Sequence, residues 1–200
     1  PNEKPPVGWF KASGHIVFDV KMDFTRKARW VKDGHKTPDS VTPSFVGVVS
    51  RESIRIALTY AALMGLPVIG ADIRNAYLQA PSSEKHYIIC GPEFGIENEG
   101  CVGIIRRALY GGKVAGRDFW HHLRDCMGHL GFSSSRGDPD VWMRLSKRTS
   151  TGEAYYEYVL LYVDDVLVIS ERAEKVLRTE IGQHFVLREE SIGKPTNYLG

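Results

Sequence analysis

The sequence lacks any apolar run near the roughly 18 residues that a membrane helix requires, and no secretory signal pattern opens it. Cysteine is scarce. Cys90, Cys101 and Cys126 are odd in number and have no CxxC spacing, which argues against both a disulfide framework and a structural zinc site. They read as small apolar fillers in a reducing intracellular setting. No internal repeat and no low-complexity tract is present, so solenoids and compositional linkers are set aside. The net charge of +2 excludes a global basic field. What remains is the composition of a soluble globular protein, 42% hydrophobic and 25% charged, long enough at 200 residues for one sizeable core and a smaller appendage. The chain opens at Pro1 without Met and stops at Tyr198-Leu199-Gly200, and it reads as a piece of something longer.

Charge is uneven along the chain. Within residues 1–36, Lys4, Lys11, Lys21, Arg26, Lys27, Arg29, Lys32 and Lys36 face only Glu3, Asp19, Asp23 and Asp33. That excess suits a phosphate-facing surface, and equally a solvated face.

The most informative stretch is Tyr155 to Ser170, a run of aromatic and β-branched residues interrupted by Asp164 and Asp165. Such a run prefers extended chain, and adjacent acids are tolerable at a tight turn. The pattern predicts a largely buried β-hairpin with both carboxylates at or beside its tip. Two like charges near a core cost free energy unless a cation sits between them, and Mg²⁺ accepts carboxylate oxygens while keeping sites for substrate phosphates. Taken alone, the pair would be an ordinary acidic turn. A third acid upstream changes the balance.

Residues 1–14 read as irregular, followed by two strands within 15–31 that turn near Asp23–Thr25, then a loop over 32–47. Ser50 is placed to cap a helix whose apolar face is Ile54, Ala57, Leu58, Ala61 and Ala62, ending at Gly65 and Pro67. Val68–Ile73 is a short buried strand with Asp72 at its end, and Arg74–Gln79 turns helical. His86–Cys90 and Val102–Ile105 are strands around a loop at Gly91–Gly100. Ala115–Leu130 is a helix with Phe119, Trp120, Leu123, Cys126, Met127 and Leu130 on one face. Val141–Leu145 is a strand before a polar hairpin loop. Ala173–Phe185 is a third helix with Val176, Leu177, Ile181 and Phe185 inward. This irregular alternation favours an α+β fold with an antiparallel sheet.

If the strands ending at Asp72 and carrying Asp164 and Asp165 are neighbours, three carboxylates converge at one sheet edge. Three acids around two Mg²⁺ ions, with Mn²⁺ as a possible substitute, suit phosphoryl transfer. Tyr77 could then pack on the sugar of a nucleotide. Lys27 and Arg29 share strand parity and could hold a triphosphate. Singly, Tyr77 reads as a core aromatic and the two cations as surface charges.

Tyr162-Val-Asp-Asp165 after an apolar run resembles the catalytic box of reverse transcriptases, and its surroundings resemble the Copia-type LTR retrotransposon polymerase. The matching boxes are Lys27–Val31, Ser50–Arg55, Asp72–Leu78, Gly91–Gly95, Ala108–Gly111 and Tyr198–Gly200, in order over nearly the whole chain. The resemblance implies a right-hand polymerase without its thumb, with 15–65 and 81–120 as fingers and 66–80 and 121–200 as palm. It implies an RNA-directed DNA polymerase with Asp72, Asp164 and Asp165 catalytic and metal-binding. It makes Tyr77 similar to the gate that rejects a ribose 2′-OH. The amides of Ile73, Arg74, Asn75 and Ala76 are placed along the triphosphate, with Lys27, Arg29 and Lys113 as further nucleotide contacts. The implied partners are an RNA/DNA template-primer, deoxynucleotides and the rest of a Pol polyprotein carrying thumb and RNase H. The implied setting is a cytoplasmic particle or the nucleus.

One box departs from the family pattern. Tyr110–Phe119 carries Gly112, Val114 and Phe119 where the family usually has Leu, Gln and Trp, in a segment expected to floor the nucleotide and template pocket. An extra glycine loosens such a segment, and valine lacks the amide's hydrogen bonds. The alternatives are a catalytically decayed nucleic-acid-binding remnant and, from a different class, a two-metal nuclease.

Overall fold

The computed structural model describes residues 4–20, 22, 24–38 and 46–195. The Tyr198–Gly200 box, Lys21 and Asp23 lie outside the described residues. Two compact units emerge, residues 1–45 with 77–119 and residues 46–76 with 120–200. Among the described residues no helix is long and apolar enough to cross a membrane.

The first unit is built from short strands. β1 (Phe10–Lys11) runs parallel to β5 (Pro81–Ile89), which pairs antiparallel with β6 (Val102–Arg107). β2 (Gly14–Val20) and β3 (Arg26–Lys32) form a separate two-stranded antiparallel ribbon. Its first strand is almost wholly exposed, so Phe18 and Val20 face solvent. Ala12, Ile88 and Ile105 form a small core with Trp30, Phe94 and Leu109 against it. Lys32 is buried beside it, with its ammonium 2.5 Å from Glu84 and 2.9 Å from His86 Nδ1. Burial, then the neighbouring ammonium, hold His86 below its ordinary pKa, so it accepts as a neutral ring.

The second unit is a five-stranded antiparallel sheet in the order β4 (Val68–Asp72), β10 (Asp165–Ile169), β9 (Ala154–Tyr162), β8 (Val141–Lys147), β7 (Ser133–Ser134). α1 (Arg51–Leu63) packs on it through Ile54, Ala57 and Ala61 against Leu160, Leu167 and Ile169. The opposite-parity residues Val159, Leu161, Val166 and Val168 are buried as well, so both faces of the β9–β10 hairpin are covered. That explains a run that is continuously apolar rather than alternating. Each such side chain contributes about 1.5–3 kcal/mol of burial.

Sequence and structure agree on most elements. Ser50 caps α1, accepting the Ser53 N–H at 3.1 Å. At the other end Gly65 adopts φ 60°, and the N–H groups of Gly65 and Leu66 return to the carbonyls of Ala62 and Ala61, a Schellman ending that redirects the chain into β4. Three local readings need correction. Leu58 and Ala62 are exposed, so the buried stripe of α1 is Ile54, Ala57 and Ala61, with Tyr60 packed against the same core. Residues 10–11 are a strand, held by pairing that no local pattern reveals. α1 has its core contacts with the five-stranded sheet. The segment after β10 is helical but not uniform, with an α turn (Ala173–Lys175), a π-helical stretch (Val176–Glu180) and a 3-10 turn (Ile181–Gln183). It still buries Val176, Leu177, Ile181 and Phe185.

Candidate active site

The β9–β10 hairpin turns over two residues, Val163 and Asp164, between the paired Tyr162 and Asp165. Val163 takes φ 52°. Two-residue hairpins call for positive φ at the first loop position, which glycine meets without strain and a β-branched residue does not. Such strain collects at functional sites. It sets Asp164 at the tip and Asp165 at the first position of β10.

β10 also pairs with β4, and the register places Asp165 directly opposite Asp72. Directly opposed residues share a sheet face. The Ile73 N–H donates to the Asp164 carbonyl at 2.7 Å, tying the hairpin tip to the residue after Asp72. The three acids named from sequence are thus brought to one sheet edge. Burial, then the charges of Asp164 and Asp72, push the Asp165 carboxyl above its ordinary pKa, with Arg188 opposing. The like charges of Asp164 and Asp72 thus act on Asp165 from both sides, and Arg188 offsets part of their effect.

Sequence reasoning missed the element that lines this edge. β4 is an edge strand, and unpaired edges call for cover. Residues 186–193 supply it as a strap that bridges β4 at Leu187 and Gly193 and makes a 3-10 turn at Glu189–Ser191 between them. The Arg74 N–H donates to the Val186 carbonyl, the Arg188 N–H to the Asp72 carbonyl, and Gly70 and Gly193 exchange bonds at 2.8 and 3.1 Å. Ser191 Oγ accepts the Asp72 N–H at 2.8 Å, and the Arg188 guanidinium lies 3.4 Å from Asp72 Oδ1. A cleft of about 360 Å³ opens here, lined by Gly70, Asp72, Asp165, Glu190, Ser191 and Lys194 among others.

The remaining residues named from sequence fall elsewhere. Ile73 is fully buried, and its amide and that of Arg74 are already committed to Asp164 and Val186. Asn75 is exposed with φ 49°, and Ala76 is buried as α2 (Ala76–Gln79) begins. In the first unit, Tyr77 packs on Tyr110 at 5.0 Å and Phe119 at 6.0 Å, and the Arg29 guanidinium lies 4.8 Å from the Tyr110 ring. Lys27 and Arg29 are half-buried while Arg26 and Ala28 are exposed, as shared parity requires.

The divergent box is well packed, contrary to the expected loosening. Val114 and Phe119 are 1% and 2% exposed, so both are core side chains rather than an open floor. Lys113 donates to the Thr37 carbonyl at 2.8 Å. A Cβ on Gly112 would meet the Leu109 carbonyl at 3.0 Å, and one on Gly111, at φ 80°, would strike the Lys32 carbonyl. A larger residue at 111 would collide with β3, whereas at 112 the Leu109 carbonyl would have to give by only a few tenths of an ångström.

Comparison with known proteins decides the family. The model of the family "Reverse transcriptase (RNA-dependent DNA polymerase)" matches residues 5–200. This chain belongs to the reverse transcriptase family. Among similar proteins are the retrovirus-related Pol polyproteins from transposons RE2 and RE1 of Arabidopsis thaliana. They are 29% and 30% identical over 82% and 71% of this chain, and the matches cover 11% and 10% of those proteins. The Pol polyprotein from transposon TNT 1-94 of Nicotiana tabacum is 27% identical over 92% of this chain and 14% of its own length. The chain spans about a tenth of the curated relatives it matches. The resemblance to Copia-type Pol polymerases is thereby borne out, as is mixed α and β content.

For a reverse transcriptase, a divalent cation is the group to test against the site. Among the described residues no group of three or more His, Cys, Asp or Glu side chains stands ready to hold a metal ion. The donor chemistry nonetheless fits. The converging side chains are carboxylates, hard oxygen donors suited to Mg²⁺, and burial together with the charges of Asp164 and Asp72 raises the Asp165 pKa, a cost a cation would offset.

Proposed function

We propose that this chain is the nucleotidyl-transfer region of a Copia-type RNA-directed DNA polymerase, adding deoxynucleotides to a primer 3′-OH. The observation that carries the reading is the register: Asp72 and Asp165 face each other across β4 and β10, with Asp164 bonded through its carbonyl to the residue after Asp72. In this reading Asp72, Asp164 and Asp165 hold the divalent ions. Those ions supply activation of the primer hydroxyl and neutralisation of the departing pyrophosphate. The protein contributes fixed positions: short Asp side chains on two hydrogen-bonded strands and a strained turn leave little freedom to the carboxylates. Residues 46–76 with 120–200 act as palm, and 1–45 with 77–119 as fingers. A thumb and RNase H in the rest of the polyprotein complete the enzyme.

Tyr77 is assigned as the gate against a ribose 2′-OH, its ring supported by Tyr110 and Phe119. The amides of Asn75 and Ala76 are the ones assigned to phosphate, because those of Ile73 and Arg74 bond elsewhere. Lys27, Arg29 and Lys113 remain the candidate triphosphate contacts, with Lys113 first having to leave the Thr37 carbonyl. The partners are a template-primer and deoxynucleotides.

The test is Mg²⁺-dependent primer extension on an RNA template by the Pol polyprotein containing this chain. Asp164→Asn and Asp165→Asn should each lower extension on the order of 10³-fold. Unchanged extension in Asp164→Asn would refute the assignment. Salt-sensitive duplex binding with no incorporation would identify a decayed remnant instead. Strand cleavage without deoxynucleotides would identify a nuclease.

A further inference from the structure

Two cysteines oppose one another across β5 and β6 in the first unit, away from the candidate site residues. β5 and β6 pair with Ile88 opposite Gly103 and Ile89 opposite Val102. One residue further on, the Cys90 N–H donates to the Cys101 carbonyl at 2.9 Å, and the Gly100 N–H donates to the Cys90 carbonyl at 2.8 Å. Gly100 has φ 78°. This combination is a G1 bulge, in which Gly100 and Cys101 together oppose Cys90. Cys90 follows Ile88 on one face of its strand, and Cys101 precedes Gly103 on the same face of the other. The thiol position agrees, because a Cβ added to Gly103 would lie 3.0 Å from Cys90 Sγ. Opposed residues of an antiparallel pair have Cα atoms about 4.5–5.5 Å apart, inside the span a disulfide bridges. Cys90 and Cys101 are both partly exposed, whereas Cys126 is buried.

We propose that Cys90 and Cys101 are a reversible dithiol–disulfide pair that staples the base of the loop 91–100. The oxidant is a low-molecular-weight disulfide, for example oxidised glutathione. The thiolate of one cysteine attacks it, forming a mixed disulfide and expelling one glutathione thiolate. The second cysteine's thiolate then attacks the protein sulfur, forming the Cys90–Cys101 bond and expelling the other glutathione thiolate. The two protons lost by the cysteines end on the two glutathione thiols. Two protein thiols are oxidised, and one glutathione disulfide is reduced.

The consequence is local. The loop carries Phe94, whose ring meets Trp30 edge-on at 5.8 Å, and Glu93, which accepts from Trp30 Nε1 at 3.4 Å. Closing the neck of the loop restricts how far these two residues can leave β3. The oxidised chain therefore holds Trp30 covered, and the reduced chain lets the loop open.

The experiment is peptide mapping of this chain, without reduction, after exposure to oxidised glutathione and alkylation of remaining thiols. The expected product is one cross-linked peptide pair joining Cys90 to Cys101, with two hydrogens lost from the protein and no glutathione retained. Cys126 should alkylate only after unfolding. The thermal midpoint should rise by roughly 5 °C and fall back on adding dithiothreitol. Cys101→Ser should stall as a mixed disulfide on Cys90, and Cys126→Ser should close normally. Glutathione retained on both Cys90 and Cys101, a cross-link to Cys126, or closure without any change in midpoint would overturn the proposal.

Discussion

The two ends of the β9–β10 hairpin treat carboxylates in opposite ways. At one end Glu157 is fully buried and answered in full: Arg144 lies 2.6 Å away, the Ser170 hydroxyl donates at 2.7 Å, and Arg172 stands at 3.5 Å. At the other end Asp165 faces Asp72 beside Asp164, and the nearby cation is Arg188, 3.4 Å from Asp72 Oδ1. The first arrangement neutralises itself and needs nothing from outside. The second sets three carboxylates near one another, with Arg188 beside Asp72 and the Asp165 carboxyl raised in pKa by burial and by the charges of Asp164 and Asp72. The comparison can be broken by measuring whether the two ends respond to mutation with opposite signs.

The largest effect is expected at the closed end. Glu157→Ala strands the guanidinium of Arg144 and should cost about 3 kcal/mol in urea unfolding, moderated by the second partner of Arg144, Glu180, at 2.7 Å. At the open end the sign reverses. Asp165→Asn removes a like-charge contact and should stabilise the metal-free chain by about 0.5–1 kcal/mol, while abolishing any stabilisation by added Mg²⁺. A loss of stability as large as that of Glu157→Ala would end the contrast.

The pH dependence follows from the raised Asp165 pKa. In the folded state this carboxyl holds its proton more tightly than in the unfolded chain. Without divalent ions its contribution therefore favours folding at acid pH and is lost as pH rises from the unfolded value, about 4, through the folded one. Thermal midpoints across that range should carry this downward component, and Asp165→Asn should remove it. Arg188→Ala comes next: losing a partly exposed pair should cost about 0.5 kcal/mol and tighten Mg²⁺ binding measured by calorimetry. The smallest effect is expected at the tip. Val163→Gly relieves a positive-φ strain and should gain about 0.5 kcal/mol, the relief being partly offset by glycine's greater entropy in the unfolded chain.

Much of this was legible beforehand because it is local. The apolar run around Asp164 and Asp165 reads most simply as a buried hairpin, and Ser50, Gly65 and Pro67 bracket a helix by capping chemistry alone. The interruption of helical geometry over Val176–Glu180 was not visible, since its residues keep a helix-like apolar spacing and only packing selects the wider turn. The burial of Val114 and Phe119 was equally hidden: a divergent motif reads as damage until the side chains are seen to fill a core.

From sequence alone come the family boxes, the acidic pair and its turn, because composition and spacing act over a few residues. Only the tertiary structure decides that Asp72 stands opposite Asp165, that residues 186–193 cover the β4 edge and bring Arg188 to it, and that Cys90 meets Cys101 across a bulge. Strand register and edge cover join residues far apart in the chain. They are set by which surfaces can be buried together, a quantity that no local pattern contains.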